Sequence, residues 1–331
     1  MDISICNGKT ILVTGATGLI GQALVKSLLK KYHNSKVIGV VRNEEKAKEI
    51  FLEYMGANLE FIVSDISTLK TQNLGVNYII HGASQTASKA FVNEPVETIM
   101  TAVNGTTNML EFARMNPVDS FVYLSSMEVY GTPERDERID ELYSAGINTM
   151  NIRACYPESK RICENLCASY SSEYGVPARV VRLTQTFGPG VQYDDGRVFA
   201  EFARCVIENR NIILNTKGDT KRNYLYIEDA VSAILTVLCH GKDGEAYNAA
   251  NEETYCSIYE MACLVAEKCA SGKISVEVNE AKDISKFGYA PTLYMNLDTS
   301  KLKALGWNPT TNLQNMYKNM ISYMIKTRGG N

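Results

Sequence analysis

Apolar, β-branched runs recur at positions 11–13, 37–41, 61–63, 78–80, 121–124 and 180–183, and between them apolar residues fall at helical spacing over 19–31, 95–115 and 157–174. A parallel pair of strands needs a long crossover and a helix supplies one, so the alternation predicts an α/β fold with a helix-wrapped parallel sheet. After Gly188 the pattern loosens into Pro189-Gly190-Val191-Gln192-Tyr193-Asp194-Asp195-Gly196. A helical stretch through Asn209, a strand near 212–214 and further helices follow, which predicts a smaller, mainly C-terminal α/β lobe. We place the larger domain at 1–186 with about 225–250, and the smaller lobe at 187–224 and 251–331. No internal repeat or low-complexity linker separates the two, so they are expected to pack together around a ligand cleft.

Thr14-Gly15-Ala16-Thr17-Gly18-Leu19-Ile20-Gly21 follows the first strand and opens the first helix. Isolated glycines are weak evidence, but in this position Gly15 permits a tight turn, Gly18 a close approach to a pyrophosphate, and Gly21 close packing of helix on sheet. The free N–H groups of the helix start, including those of Thr17, Gly18, Leu19 and Ile20, face the phosphates. The expected fold is therefore a Rossmann-type doubly wound sheet. At the tip of the second strand the chain reads Val40-Val41-Arg42-Asn43, without the carboxylate that would bind a ribose 2′-hydroxyl. Arg42 is suited to a 2′-phosphate, so we expect NADP, with NAD as the alternative. An exposed arginine starting a charged helix would read the same. Asp65, Ile66 and Ala83 are the other expected cofactor contacts, although Asp65 also fits an ordinary turn.

The fifth run ends in Ser125-Ser126-Met127-Glu128-Val129-Tyr130-Gly131, and ligand chemistry belongs at such carboxyl ends. Tyr156-Pro157-Glu158-Ser159-Lys160 then opens a helix, and the four-residue step puts phenol and ammonium on one face. Lys160, with an oxidised nicotinamide nearby, is expected to lower the pKa of Tyr156 and make it a proton donor or acceptor. Ser126 is expected to hydrogen-bond the reacting oxygen.

Composition narrows the alternatives. A formal charge of -3 gives no broad pull toward nucleic acid or an acidic membrane. Nine cysteines without a Cys-x-x-Cys pair suit reduced thiols, and the chain reaches a strand pattern at Thr10 without a charged-then-apolar leader, so a cytoplasmic protein is expected. No run is long and apolar enough for a bilayer. Three histidines, His33, His81 and His240, leave little material for a His-rich metal site or a Ser-His-Asp triad, and no metal is expected.

The glycine fingerprint, Ser125-Ser126 through Gly131, Tyr156 with Lys160, and Asp298-Thr299-Ser300-Lys301 leading to Leu305-Gly306-Trp307-Asn308-Pro309 together resemble extended short-chain dehydrogenases of the NAD-dependent epimerase/dehydratase group. The resemblance implies an enzyme acting on a nucleotide-linked sugar, with Ser126, Tyr156 and Lys160 catalytic. It also implies that Arg222, in Arg222-Asn223-Tyr224-Leu225-Tyr226-Ile227-Glu228-Asp229, grips the substrate diphosphate, a task suited to a guanidinium. Ser84, Met127, Gln185, Val198 and Asn248 are the further expected substrate contacts, and the helices over 95–115 and 157–174 the expected homodimer interface.

Departures bear on the reaction. Met127 stands where sugar dehydratases carry a general acid, which removes the proton donor of a 4,6-dehydratase and leaves Glu128 as base or sugar contact. Lys286-Phe287-Gly288 and Tyr294 replace arginines often found near the C-terminal anchor. Arg42 tilts the expectation toward net ketoreduction, with an epimerase, decarboxylase or dehydratase working through a transient ketone as the alternative. From another class, a dinucleotide-sensing regulator would need no acid/base pair.

Overall fold

The computed structural model describes residues 6–31, 34–56, 58–69, 74–86, 88–280 and 292–328. All six apolar runs become strands of one sheet. In chain order its half of the molecule comprises β1 (Thr10–Thr14), α1 (Leu19–Lys31), β2 (Lys36–Val41), α2 (Glu44–Ile50), β3 (Leu59–Val63), β4 (Tyr78–His81), α3 (Ser88–Asn93), α4 (Pro95–Met115) and β5 (Ser120–Ser126). After a two-residue strand, β6 (Arg138–Ile139), come α5 (Cys155–Tyr174) and β7 (Ala178–Leu183). The remainder comprises β8 (Gln185–Phe187), α6 (Val198–Glu208), β9 (Ile212–Leu214), β10 (Lys221–Tyr226), α7 (Ile227–His240), β11 (Ala246–Ala249), β12 (Asn251–Ser257), α8 (Ile258–Leu264), β13 (Val276–Val278), β14 (Tyr294–Leu297), α9 (Ser300–Lys303) and α10 (Leu313–Arg328).

The main sheet has the order β11-β7-β5-β4-β1-β2-β3, with every neighbouring pair parallel. The fold is thus the α/β doubly wound sheet expected. Strand order reverses between β1 and β4, and the crevice beyond the carboxyl ends of such a pair is where this architecture binds ligands. Gly15 and Ala83 lie there.

A second sheet runs β12-β10-β14-β6, with β8 also on β10, and β13 pairs with β9. Strand β10 is the seam: Leu225 packs in the main core, whereas Tyr224 and Tyr226 pack in a second cluster with Phe187, Phe199 and the α10 residues Tyr317 and Met320. Alternate strand residues point to opposite faces, so one short strand serves both cores. The C-terminal segment is tied back at Asp229, whose carboxylate accepts from Thr310 N and Oγ1 and from Thr311 N at 3.0, 2.7 and 3.0 Å. Trp307 is fully buried and donates from Nε1 to Ser232 Oγ at 2.9 Å.

Candidate active site

The glycine turn is fixed by β4. Gly15 adopts φ +69°, and a Cβ there would stand 2.9 Å from the Gly82 carbonyl. At Gly21 a Cβ would stand 2.1 Å from Gly15 O, so α1 rests directly on the turn. Exposed Gly18 would bring a Cβ only to 3.3 Å from Gly15 O, which leaves its outer side open. That cradle fits a pyrophosphate. Leu19 and Ile20 pack on the second cluster, and Thr17 O accepts from Gln22 Nε2 at 2.8 Å.

Beneath the turn lies a residue that spacing did not single out. Thr14 Oγ1 accepts from the N–H groups of Gly82 and Ala83 at 3.1 and 3.0 Å, so its own proton goes to His81 Nδ1 at 2.7 Å. The other ring nitrogen then donates to Thr106 Oγ1 on α4 at 3.2 Å. His81 is completely buried, and burial, helped by the Lys160 charge, pulls its pKa down to about 3. It is a neutral strut tying β1, β4 and α4 together.

Arg42 is exposed at the tip of β2, and its charge helps hold the Asp65 carboxyl below its usual range, after the two hydrogen bonds from Ser67. Asp65 Oδ1 accepts from Ser67 N at 2.8 Å and Ser67 Oγ at 2.5 Å, so the carboxylate shapes a turn. The side chain of Ile66 is buried against Gly105 of α4, and its carbonyl accepts from Asn108 Nδ2 at 3.0 Å.

Ser126 ends β5 and caps the helical turn Met127–Tyr130, its Oγ accepting from Glu128 N at 3.2 Å. The same hydroxyl lies close enough to the Tyr156 phenol to pull its pKa down. The tyrosine ring stacks on Phe91 of α3, with centroids 4.4 Å apart. One turn along α5, Lys160 is buried with Nζ donating to Leu124 O at 2.8 Å and lying 4.7 Å from the Tyr123 ring centroid; burial lowers its pKa to about 8. Ser126, Tyr156, Lys160 and Glu128 are thus brought together. Burial first, then the Glu128 charge, push the pKa of Tyr156 above its ordinary range, while Ser126 and Arg153 pull it back.

Glu128 forms a two-pronged ion pair with Arg153, at 3.0 Å to Nη1 and 3.4 Å to Nη2. Arg161 of α5 donates to Val129 O at 2.7 Å and Ala145 O at 3.0 Å, and Arg182 bridges Glu164 and the Tyr130 hydroxyl at 2.6 and 3.0 Å.

The expected substrate contacts divide. Asn248 is fully buried: it accepts from Tyr130 OH at 2.6 Å and donates to Ile139 O and Asp298 O at 3.1 and 3.0 Å. With its amide committed, it bridges the two sheets. Met127 is buried beside Thr184, whose hydroxyl lies 3.3 Å from its sulfur. Ser84 and Gln185 are half-buried, and Val198 opens α6. Arg222 of β10 buries its Nε without a hydrogen-bond partner, as does Tyr224 its hydroxyl. Tyr294 of β14 lies opposite Lys221. Residues 286–288 lie outside the described residues. Among the described residues no cluster of metal-ligating side chains occurs, and no helix is long and apolar enough to cross a membrane.

The family model described as the NAD dependent epimerase/dehydratase family matches residues 11–250. UDP-glucuronic acid decarboxylase 1 of Xenopus tropicalis is 29% identical over 319 residues, covering 96% of this chain and 72% of that protein. UDP-glucuronic acid decarboxylase 1 of Arabidopsis thaliana is 30% identical over 315 residues, covering 94% of this chain and 69% of its own. Among solved structures, UDP-glucuronic acid 4-epimerase from Bacillus cereus in complex with NAD superposes with TM-score 0.79 at 22% identity, covering 96% of this chain and 99% of its own. That likeness shows the shared fold. With the glycine cradle, the Ser126–Tyr156–Lys160 constellation and the match over most of its length, the chain belongs to the NAD-dependent epimerase/dehydratase family of enzymes.

Proposed function

We propose that this enzyme oxidises and then decarboxylates a nucleotide-linked hexuronic acid. The observation that carries this reading is the grouping of the Tyr156 phenol on the Ser126 hydroxyl with buried Lys160 and one carboxylate, Glu128, instead of an acid pair. Met127 is buried and carries no proton, so elimination of a hydroxyl lacks its acid. Decarboxylation needs a ketone β to the carboxylate, which in a hexuronic acid is C4.

The cradle at Gly15, Gly18 and Gly21 would hold the dinucleotide pyrophosphate, with Lys160 beside the nicotinamide end. When bound, the cofactor accepts a hydride from the alcohol carbon and can return it. As a phenolate, Tyr156 takes the C4 hydroxyl proton while Ser126 holds the oxygen. The C5–C6 bond then breaks, CO2 leaves, and the electron pair moves onto the C4 oxygen, where the Ser126 and Tyr156 hydroxyls stabilise the enolate. C5 then takes a proton from solvent water as the C4 ketone re-forms, so that a C–H bond replaces the broken C5–C6 bond. Arg222, with an unpartnered buried Nε, grips the diphosphate.

Net ketoreduction with NADPH is the second reading, favoured by Arg42 at a strand tip that bears no carboxylate. We also propose the two-lobe division above, a cytoplasmic setting, and a homodimer through α4 and α5, which leave Val96, Ile99, Met100 and Ile162 exposed. Incubation with UDP-glucuronic acid and NAD, followed by mass spectrometry, separates these readings. Release of CO2 with formation of a UDP-pentose or its ketone supports decarboxylation. Inversion with the carboxylate retained makes the enzyme an epimerase, and reduction of a UDP-ketosugar at the expense of stoichiometric NADPH makes it a reductase.

A further inference from the structure

A hexuronic acid brings its own carboxylate toward a site that already holds Glu128. Two carboxylates repel at close range unless a cation stands between them. The group placed to do so is Arg153. Asn151 Oδ1 caps the turn at Ile152–Ala154 by accepting from Arg153 N at 3.0 Å, which fixes the start of this side chain three residues before Tyr156. Its guanidinium carbon lies 5.8 Å from the centroid of the Phe91 ring, the ring stacked on Tyr156. The side chains of Arg153 and Glu128 are 34% and 28% exposed, so a ligand can reach the pair. A guanidinium has five N–H donors, and Glu128 takes two; no other acceptor for Arg153 side-chain donors occurs among the described residues. On β14 the chain presents the phenol of Tyr294 opposite Lys221, not a guanidinium.

We propose that Arg153 is the specificity-determining residue of this site, the guanidinium that receives the carboxylate of the sugar while bridging it to Glu128. This rests on the hexuronic acid reading above. As a bare surface pair, Arg153–Glu128 would contribute little to stability. As a carboxylate receptor it supplies charge-assisted, two-pronged recognition that a neutral sugar cannot use. The same placement accounts for a guanidinium kept on the ring stack that covers the catalytic phenol.

The test is calorimetric binding of UDP, UDP-glucose and UDP-glucuronic acid to NAD-loaded full-length protein in a Tyr156→Phe background, which prevents turnover. The parent is expected to prefer UDP-glucuronic acid over UDP-glucose by at least about tenfold, the scale of a charged hydrogen bond. Arg153→Met should abolish that preference while leaving UDP and UDP-glucose within about twofold of the parent, and Arg153→Lys should restore part of it. Glu128→Gln, which frees the guanidinium, should strengthen the preference, an effect that a merely structural role would not produce. A preference that survives Arg153→Met, or an equal loss for all three ligands, overturns the proposal and leaves the hexuronic acid reading standing. A parent without any preference for the carboxylate overturns both.

Discussion

Around the glycine turn, Thr14, His81, Gly82, Ala83 and Thr106 satisfy one another's hydrogen bonds, whereas β10 buries the Arg222 Nε and the Tyr224 hydroxyl without partners. A buried unpaired donor costs on the order of 1–3 kcal/mol. The first region is therefore complete in the chain alone and holds its shape before any ligand arrives. The second carries a deficit that an anion gripped by Arg222, as proposed above, would offset, which would link substrate binding to local stability there.

The largest effect that sharpens this contrast is expected from Tyr156→Phe, which should lower turnover by about a thousandfold, within the range of general acid–base catalysis. Its melting temperature should stay near that of wild type, because the ring keeps its stack on Phe91. Gly21→Ala comes next: a methyl 2.1 Å from Gly15 O must displace α1, at a cost of about 3 kcal/mol in denaturant titration and with loss of thermal stabilisation by dinucleotide. Unchanged dinucleotide binding in this variant would break the picture of a rigid cradle.

Arg222→Met should act in the opposite sense. UDP affinity is expected to fall about tenfold or more by calorimetry, the scale of a charged hydrogen bond, while the ligand-free protein melts at the same temperature or higher. A ligand-free variant that is clearly less stable would mean that Arg222 already has its partners within the fold.

The smallest of these effects concerns Lys160. Burial lowers its pKa from 10.5 to about 8, so below pH 8 the fold carries a buried charge that the unfolded chain solvates freely. Between pH 8 and 10.5 the unfolded state binds more protons, hence stability rises with pH and the penalty disappears. Lys160→Met should accordingly be more stable than wild type at pH 7 by about 1–2 kcal/mol, after allowance for the lost bond to Leu124 O, and the gap should close toward pH 10.5. A constant difference across that range in urea titrations would refute the assignment.

The main sheet was legible because six of its seven strands contain continuous apolar runs, most of them buried, and helix 19–31 falls where spacing placed it. The second sheet was not. Its strands span two to seven residues, and β6 meets β14 across nearly half of the chain, so no local pattern announces the pairing. The site divides in the same way. Tyr156 and Lys160 are neighbours by helical periodicity, and Ser126 ends a readable strand. His81 meets Thr14 across 67 positions and Arg153 meets Glu128 across 25, contacts that only the folded chain creates. Asn248 is ambiguous in sequence for a related reason: an amide near a strand end can serve a ligand or bridge two sheets, and its bonds to Tyr130, Ile139 and Asp298 form only in the fold.

Helix α5 grips the end of β5 and the turn that follows it through main-chain oxygens, Lys160 on Leu124 and Arg161 on Val129. Carbonyls are common to all residue types, so substitutions at those two positions leave the attachment points intact wherever the backbone trace is kept. Evolutionary drift can thus alter side chains flanking Ser126, and with them the accepted sugar, without dislodging the phenol from its hydroxyl neighbour.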